Sequence, residues 1–556
     1  MKKWLIPLVL VLVVSFLLSA CTSSTPTQTA PPSTSKPATT SAPAPTTGPA
    51  PTNAPPAPTT SAPATTTPLA QSPTKGGIMK FAMTRPPIAF GYPPKIVGPD
   101  NHYARPFFER LLLQDNTGAY KCELATGYDI AADGKSITFK LRQGVQFSDG
   151  TPFNAAAVKW NFDTLIPPKS NILSGVTSVD AVDDYTLRLN IPAFNNLLLY
   201  SLAVDMRTCI VSPTAIQKNT LDWAATHPVG TGPYILKGFE PGVSISYTKN
   251  PNYWNKDLPL LDGIQASAIS DPMTQAISLK SGDLNFLYDA APASAAQLRD
   301  AGYTLQITGG TIQSMSGDTF NPDSVWADQR IREAVEYAID KEAICSGPGM
   351  GLYKPAYQIT VEGSTEYNTA LTPRKYDVAK AKQLLAAAGK ANGFETTFYL
   401  NQTDWRDGWV AVQDYLSKVG IKMTIQLMAP AEYEANLRQS NKLAKNGSTY
   451  AVFELRGNNL FLCDSYLKST SPYYKFMART PGIDDVINQA EAAKDEPTRI
   501  KGMQQIAKMT YDTAPFIPLW VQPRIMVTDK IVQNPGFFIN GDAMNGNLGY
   551  NSWLKK

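Results

Sequence analysis

Residues 22–74 are almost entirely Thr, Pro, Ala and Ser, with Lys36 the only charged side chain among them. Such a segment has too little apolar surface to offset the entropy of ordering it, so residues 75–556 must carry the fold. Its proline density favours extended polyproline II, giving a tether that reaches from about 40 Å as a coil to about 160 Å stretched. The segment reads as a stalk. Its Ser and Thr are compatible with O-glycosylation and equally with an unmodified spacer.

Ahead of the stalk, Lys2 and Lys3 precede an almost wholly apolar run from Trp4 to Leu18, and Leu18-Ser19-Ala20-Cys21 places small residues and a cysteine directly behind it. The run is too short and wrongly flanked for a stable spanning helix. This arrangement resembles a bacterial lipoprotein signal: a signal peptide over 1–20, cleavage before Cys21 and lipidation of Cys21. The resemblance implies a protein anchored by lipid to the extracytoplasmic face of the cell membrane, in the periplasmic or cell-wall space. An uncleaved anchor, the alternative reading, leaves the chain on the same side.

Residues 75–556 are long enough for two or three lobes around substantial cores. Of the 50 Lys and Arg, three (Lys2, Lys3, Lys36) precede residue 75, and none of the 46 Asp and Glu does, so this part carries a net charge of +1. That balance argues against nucleic acid or an anionic membrane surface as the main partner. Besides Cys21 there are Cys122, Cys209, Cys345 and Cys463, an even number compatible with two disulfides and equally with buried free thiols.

The motifs of catalysis are missing. The two histidines are His102, in a polar turn after Pro99-Asp100-Asn101, and His227, next to Pro228. There is no His-Glu-x-x-His, Gly-x-Ser-x-Gly or Walker-type loop. Gly230-Thr231-Gly232-Pro233 reads as a tight turn into a strand over Tyr234–Phe239, because Pro233 has no N–H for a phosphate and no Lys-Ser/Thr follows. Asp183-Asp184 and Asp484-Asp485 sit in turn and helix-start contexts, as solvated caps rather than a glycosidase pair. No enzyme activity, catalytic residue, metal site or cofactor is expected.

Strand and helix patterns alternate along the chain, which predicts α/β lobes. Ser136–Arg142 alternates polar and apolar residues as a half-buried strand does, and Asn154 stands as the N-cap of a helix over 155–165. A strand is predicted over 185–189. Further helices are predicted over 328–345, 376–388, 407–419 and 484–510, with strands over 394–400 and 422–427.

Several motifs in order resemble the extracellular solute-binding proteins of family 5, the oligopeptide-, dipeptide- and nickel-binding components of ABC importers. They are Phe107-Phe108-Glu109-Arg110-Leu111, Arg142-x-Gly144-Val145-x-Phe147-x-Asp149-Gly150-Thr151-Pro152-Phe153, Val182-Asp183-Asp184-Tyr185-Thr186-Leu187 and Pro228-Val229-Gly230-Thr231-Gly232-Pro233-Tyr234. Asn250-Pro251-Asn252-Tyr253-Trp254, Tyr337-Ala338-Ile339-Asp340-Lys341-Glu342, Tyr376-Asp377 and Ala514-Pro515-Phe516-Ile517-Pro518-Leu519-Trp520 continue the match. The resemblance implies a periplasmic-binding-protein-like fold: two α/β domains around a cleft, with an additional inserted lobe. Carried onto this chain, domain I combines 75–111, 214–325 and 505–556, the inserted lobe is 112–213, and the opposing domain III is 326–504. Each motif also has a bland physical meaning: Asp149-Gly150 is a tight turn, Asp340 caps a helix, and Tyr253-Trp254 packs between lobes.

In peptide binders of this family an Asp of the cleft holds the ligand's amino terminus. Here the corresponding positions, Asn459 and Leu460, are uncharged, and Asp464 is displaced, so a free peptide amine lacks its expected partner. Arg456 suits a carboxylate or phosphate, and Asn458 and Asn459 suit hydroxyls or amides. Tyr433 is a candidate pocket wall and Trp520 a candidate stacking platform. Trp405 is a further candidate at the turn before the helix near Asp407, with a helix staple by Trp405 and an N-cap by Asp407 as the alternative. Two histidines do not supply a ligand set for a bare nickel ion.

The expectation is a monomeric solute-binding lipoprotein. It captures an organic solute, peptide-like or otherwise, anionic or saccharide, by cleft closure and delivers it to an ABC permease with its ATPase subunits. The alternative is a non-transport surface lipoprotein, a sensor or adhesion module on the same scaffold.

Overall fold

A computed structural model of the chain describes residues 72–96, 100–114, 119–166, 170, 172–173, 175–402, 404–429, 432–433, 435, 446–454, 460–534 and 550–555. Cys21, Arg456, Asn458 and Asn459 lie outside them. The first strand, β1 (Ile78–Met83), is followed by an inserted set: β2 (Leu112–Gln114) and β3 (Tyr120–Cys122), then β4 (Ala125–Ile130), β5 (Ser136–Leu141), β6 (Ser178–Asp183) and β7 (Thr186–Asn190). β2 and β3 form a hairpin, and the other four make a separate antiparallel sheet in the order β4-β5-β7-β6. The chain continues through β8 (Tyr234–Glu240), β9 (Ser244–Lys249), β10 (Gly263–Ala268), β11 (Phe286–Leu287), β12 (Thr304–Gly317), β13 (Lys354–Pro355), β14 (Glu395–Asn401), β15 (Lys422–Met428), β16 (Ser448–Glu454) and β17 (Ile517–Thr528), and ends with the pair β18 (Val532–Gln533) and β19 (Trp553–Leu554). Eleven strands form one sheet, ordered β15-β14-β16-β12-β17-β11-β1-β10-β9-β8, with β13 against β17. Mixed strands and helices in this arrangement make an α/β fold.

Local sequence explains the elements. Along β5 the apolar positions Ile137, Phe139 and Leu141 are buried, and they join Leu187, Leu189, Val158 and Phe162 in the core of the inserted lobe. Asn154 accepts from Ala157 N at 2.9 Å and starts the helix Ala155–Phe162; Asp377 does the same from Lys380 N at 2.9 Å for Val378–Ala387. A second core holds Phe81, Phe90, Phe107, Tyr234 and Ile264, and a third holds Trp326, Ile331, Phe398, Trp409 and Ile421.

Several predicted helices differ from those observed; 155–165, for instance, ends at Phe162. The span 328–345 is two helices, Gln329–Ala338 and Lys341–Ser346, because Asp340 caps the second by accepting from Ala343 N at 2.9 Å. The span 484–510 is also two, Ile483–Ala492 and Glu496–Thr513: Asp495 caps the latter, and Pro497, lacking an N–H, is at home only in its first turn. The helix Arg406–Ser417 starts one residue early, so Asp407 lies in its first turn and not at its N-cap, which is Trp405. His102, expected in a turn, is buried in the short helix Asp100–Ala104. The four cysteines are free, Cys122 exposed and Cys209, Cys345 and Cys463 buried.

Candidate ligand-binding cleft

Strand direction locates the cleft. β1, β10 and β11 run parallel to one another, whereas β17 runs against β11, β12 against β17 and β16 against β12; β14 and β15 run parallel to β16. The carboxyl ends of β1, β10 and β11 therefore face those of β14, β15 and β16. Among the described residues, β12 and β17 alone cross from one group to the other. Register fixes the gap: β11 ends at Leu287 opposite Val527, and β16 ends at Glu454 opposite Thr311, which itself pairs with Gln522. Ligands of open α/β sheets bind outside the carboxyl ends of strands at such a change of topology.

The floor of the gap is a row of alternate β17 side chains, Trp520, Gln522 and Arg524, on one face. Gln313 of β12 donates to Gln522 Oε1 at 3.0 Å. The Arg524 guanidinium donates to Asp289, the second residue after β11, and both side chains are about one-third exposed (38% and 35%). Ala290 N donates to Ile525 O at 2.8 Å, tying the Asp289 turn to β17.

At the opposing end of the row, Trp405 follows β14 and stacks on Tyr353 with centroids 4.0 Å apart, while Trp520 meets the rings of Trp405 at 5.2 Å and Trp409 at 4.9 Å. Burial, with added repulsion from Cys345, Asp289 and Asp407, pushes the Tyr353 phenol well above its usual range. Trp405 is half-buried. Trp520 is fully buried, and among the described residues its indole N–H has no hydrogen-bond partner. Tyr433 is buried too, its hydroxyl sharing a 2.9 Å hydrogen bond with Thr449. Asp464, on the helix Leu460–Leu467, pairs at 2.7 Å with Lys468 just beyond its end.

The structure thus brings Trp405 and Trp520 together and adds Tyr353, Gln313, Gln522, Asp289 and Arg524, none of which sequence reasoning had singled out. For Gln522 and Arg524 the signal lay in the polar positions of the strand after Trp520; Tyr353, Gln313 and Asp289 carried none. Among the described residues no group of three or more His, Cys, Asp and Glu could hold a metal ion.

Away from the cleft, the shared motifs build the junction between lobes. Glu109 accepts from the Tyr253 hydroxyl at 2.9 Å and from Trp254 Nε1 at 3.1 Å, and the Arg142 guanidinium lies 3.9 Å over the Trp254 ring. Arg105 pairs with Glu123 at 2.5 Å, both buried. Burial, then the charge of Glu123, push the Glu109 carboxyl up to about 8. Gly230 and Gly232 are required because an added Cβ would meet the Phe107 backbone at 2.2 and 2.5 Å.

Two lobes meeting at the carboxyl ends of their strands, joined by two crossing strands, define a cleft-type solute-binding protein. The family model of bacterial extracellular solute-binding proteins, family 5 (Middle), matches residues 119–470, and the chain belongs to that family. It is similar to the glutathione-binding protein GsiB of Salmonella typhi, 31% identical over 457 residues covering 79% of this chain and 88% of that protein. GsiB of Escherichia coli O157:H7 is 27% identical over 458 residues with the same coverage. Among solved structures, NikA from Brucella suis in complex with Fe(III)-EDTA superposes with a TM-score of 0.77 at 23% identity, covering 86% of this chain and all of that one. DppA from Helicobacter pylori, in complex with the peptide STSA, gives 0.69 at 23% identity, covering 87% and 99%. These likenesses establish the periplasmic-binding-protein fold. Members of the family are extracytoplasmic solute-binding proteins serving ABC importers, and among the described residues no helix is long and apolar enough to cross a membrane.

Proposed function

We propose that this chain is the lipid-anchored receptor of an ABC importer: Cys21 holds it at the membrane, the stalk extends it, and the cleft captures a small peptide-like solute and passes it to the permease. The two domains and the inserted lobe keep the boundaries given above. The observation that carries this reading is the facing of two sets of strand carboxyl ends across β12 and β17, a geometry in which closure buries a solute between lobes. The likeness to GsiB, a protein named for binding glutathione, makes glutathione the first solute to test.

X-ray scattering of the full-length chain in detergent, with and without glutathione and a set of di- and tripeptides, tests the reading. A fall in radius of gyration with one of these solutes is expected. An unchanged profile with every one of them, at millimolar concentration, contradicts it.

A further inference from the structure

We propose that Arg524 and Asp289 together recognise a free α-amino-acid end of the solute, the guanidinium taking its carboxylate and Asp289 its ammonium. This rests on the solute-binding reading above. Arg524 lies on β17 between Gln522, level with the end of β16, and Val527, level with the end of β11, so it stands in the gap between the lobes. Asp289 is the second residue beyond β11, at a left-handed φ of 51° and anchored by the Ala290–Ile525 backbone bond.

Both side chains keep about one-third of their surface exposed, and an ion pair so placed adds little to stability. It therefore earns its position in the cleft by what it presents to a solute. A planar guanidinium matches a carboxylate in two parallel hydrogen bonds, and a carboxylate matches an ammonium. Entry of an ammonium and a carboxylate borne on one carbon turns one ion pair into an alternating set of four charges. No uncompensated charge from that end is then buried when the lobes close.

An α-linked peptide carries its ammonium and carboxylate at opposite ends. A γ-glutamyl peptide such as glutathione carries both on one carbon and fits the pair.

Calorimetric titration of the full-length chain in detergent tests this with reduced glutathione, N-acetylglutathione, glutathione amidated at the glutamyl α-carboxylate, and α-linked di- and tripeptides. Glutathione is expected to bind, with each blocked form at least about tenfold weaker. R524Q should lower glutathione affinity at least about tenfold, R524K less, and D289N should abolish the preference for the free amine. Melting temperatures within a few degrees of the parent keep a folding defect from imitating these results. If R524Q and D289N bind a member of the panel as tightly as the parent, the proposal is overturned while the solute-binding reading stands. If the parent binds none of the panel, both fall.

Discussion

A Cβ added at Gly310 would lie 1.8 Å from the carbonyl oxygen of Gln522, at the point where β12 and β17 cross between the lobes. Gly310 also has φ +135°, a conformation that side-chain-bearing residues rarely adopt, and the ladder shifts register between Thr308 and Gly310. Gly310→Ala must push the two strands apart. It should destabilise the protein by about 3 kcal/mol, read from urea denaturation, whereas a variant as stable as the parent would mean the strands separate freely here.

The Glu109 carboxyl, raised from 4.5 to about 8 by burial and Glu123, prefers to be neutral in the folded protein. Its contribution is therefore present in full below its unfolded value and is lost as pH rises through about 8. Stability should fall by more than about 1 kcal/mol between pH 5 and pH 8, and Glu109→Gln should flatten that slope. Equal slopes for parent and variant, in denaturation midpoints taken across this range, would remove Glu109 as the cause.

Lys341 is buried with its ammonium donating to Glu336 Oε1 and Ala356 O, each at 3.0 Å, while Arg374 donates to Glu336 Oε2 at 3.0 Å. Burial draws the lysine downward in pKa, opposed by Glu336. Lys341→Met should cost about 3 kcal/mol, since it leaves part of a buried carboxylate uncompensated, and adding Glu336→Gln should return some of that loss. Thermal melts of the single and double variants decide it; additive losses would show that the two side chains act separately.

Replacing Cys21 by Ala should move the protein from the membrane fraction to the soluble one after cell lysis. A variant that sediments with membranes as the parent does would refute lipid anchoring.

The fold was legible where local signals agree with tertiary context. Asn154 caps the helix expected of it, and Ile137, Phe139 and Leu141 alternate into a core as their spacing requires; the helix expected over 376–388 forms over Val378–Ala387, with Asp377 as its cap. The helix breaks at Asp340 and Asp495 were blurred because apolar periodicity runs across a cap. β12 was missed: Gly309 and Gly310 interrupt its pattern, and what makes it a strand is pairing with β17, some two hundred residues later. The same distance hid the floor of the cleft. Asp289 and Arg524 are 235 positions apart, and only the crossing of β12 and β17 makes them neighbours. Trp520 and Trp405 were visible as aromatics, but their contact with each other was not.

The most direct test of solute capture is native mass spectrometry of the full-length chain released from detergent after incubation with a mixture of glutathione and small peptides. The account predicts a discrete excess mass, one solute per chain, that disappears on denaturation and falls when Arg524 is replaced by Gln. A spectrum showing only the bare chain, whatever the solute offered, would contradict it.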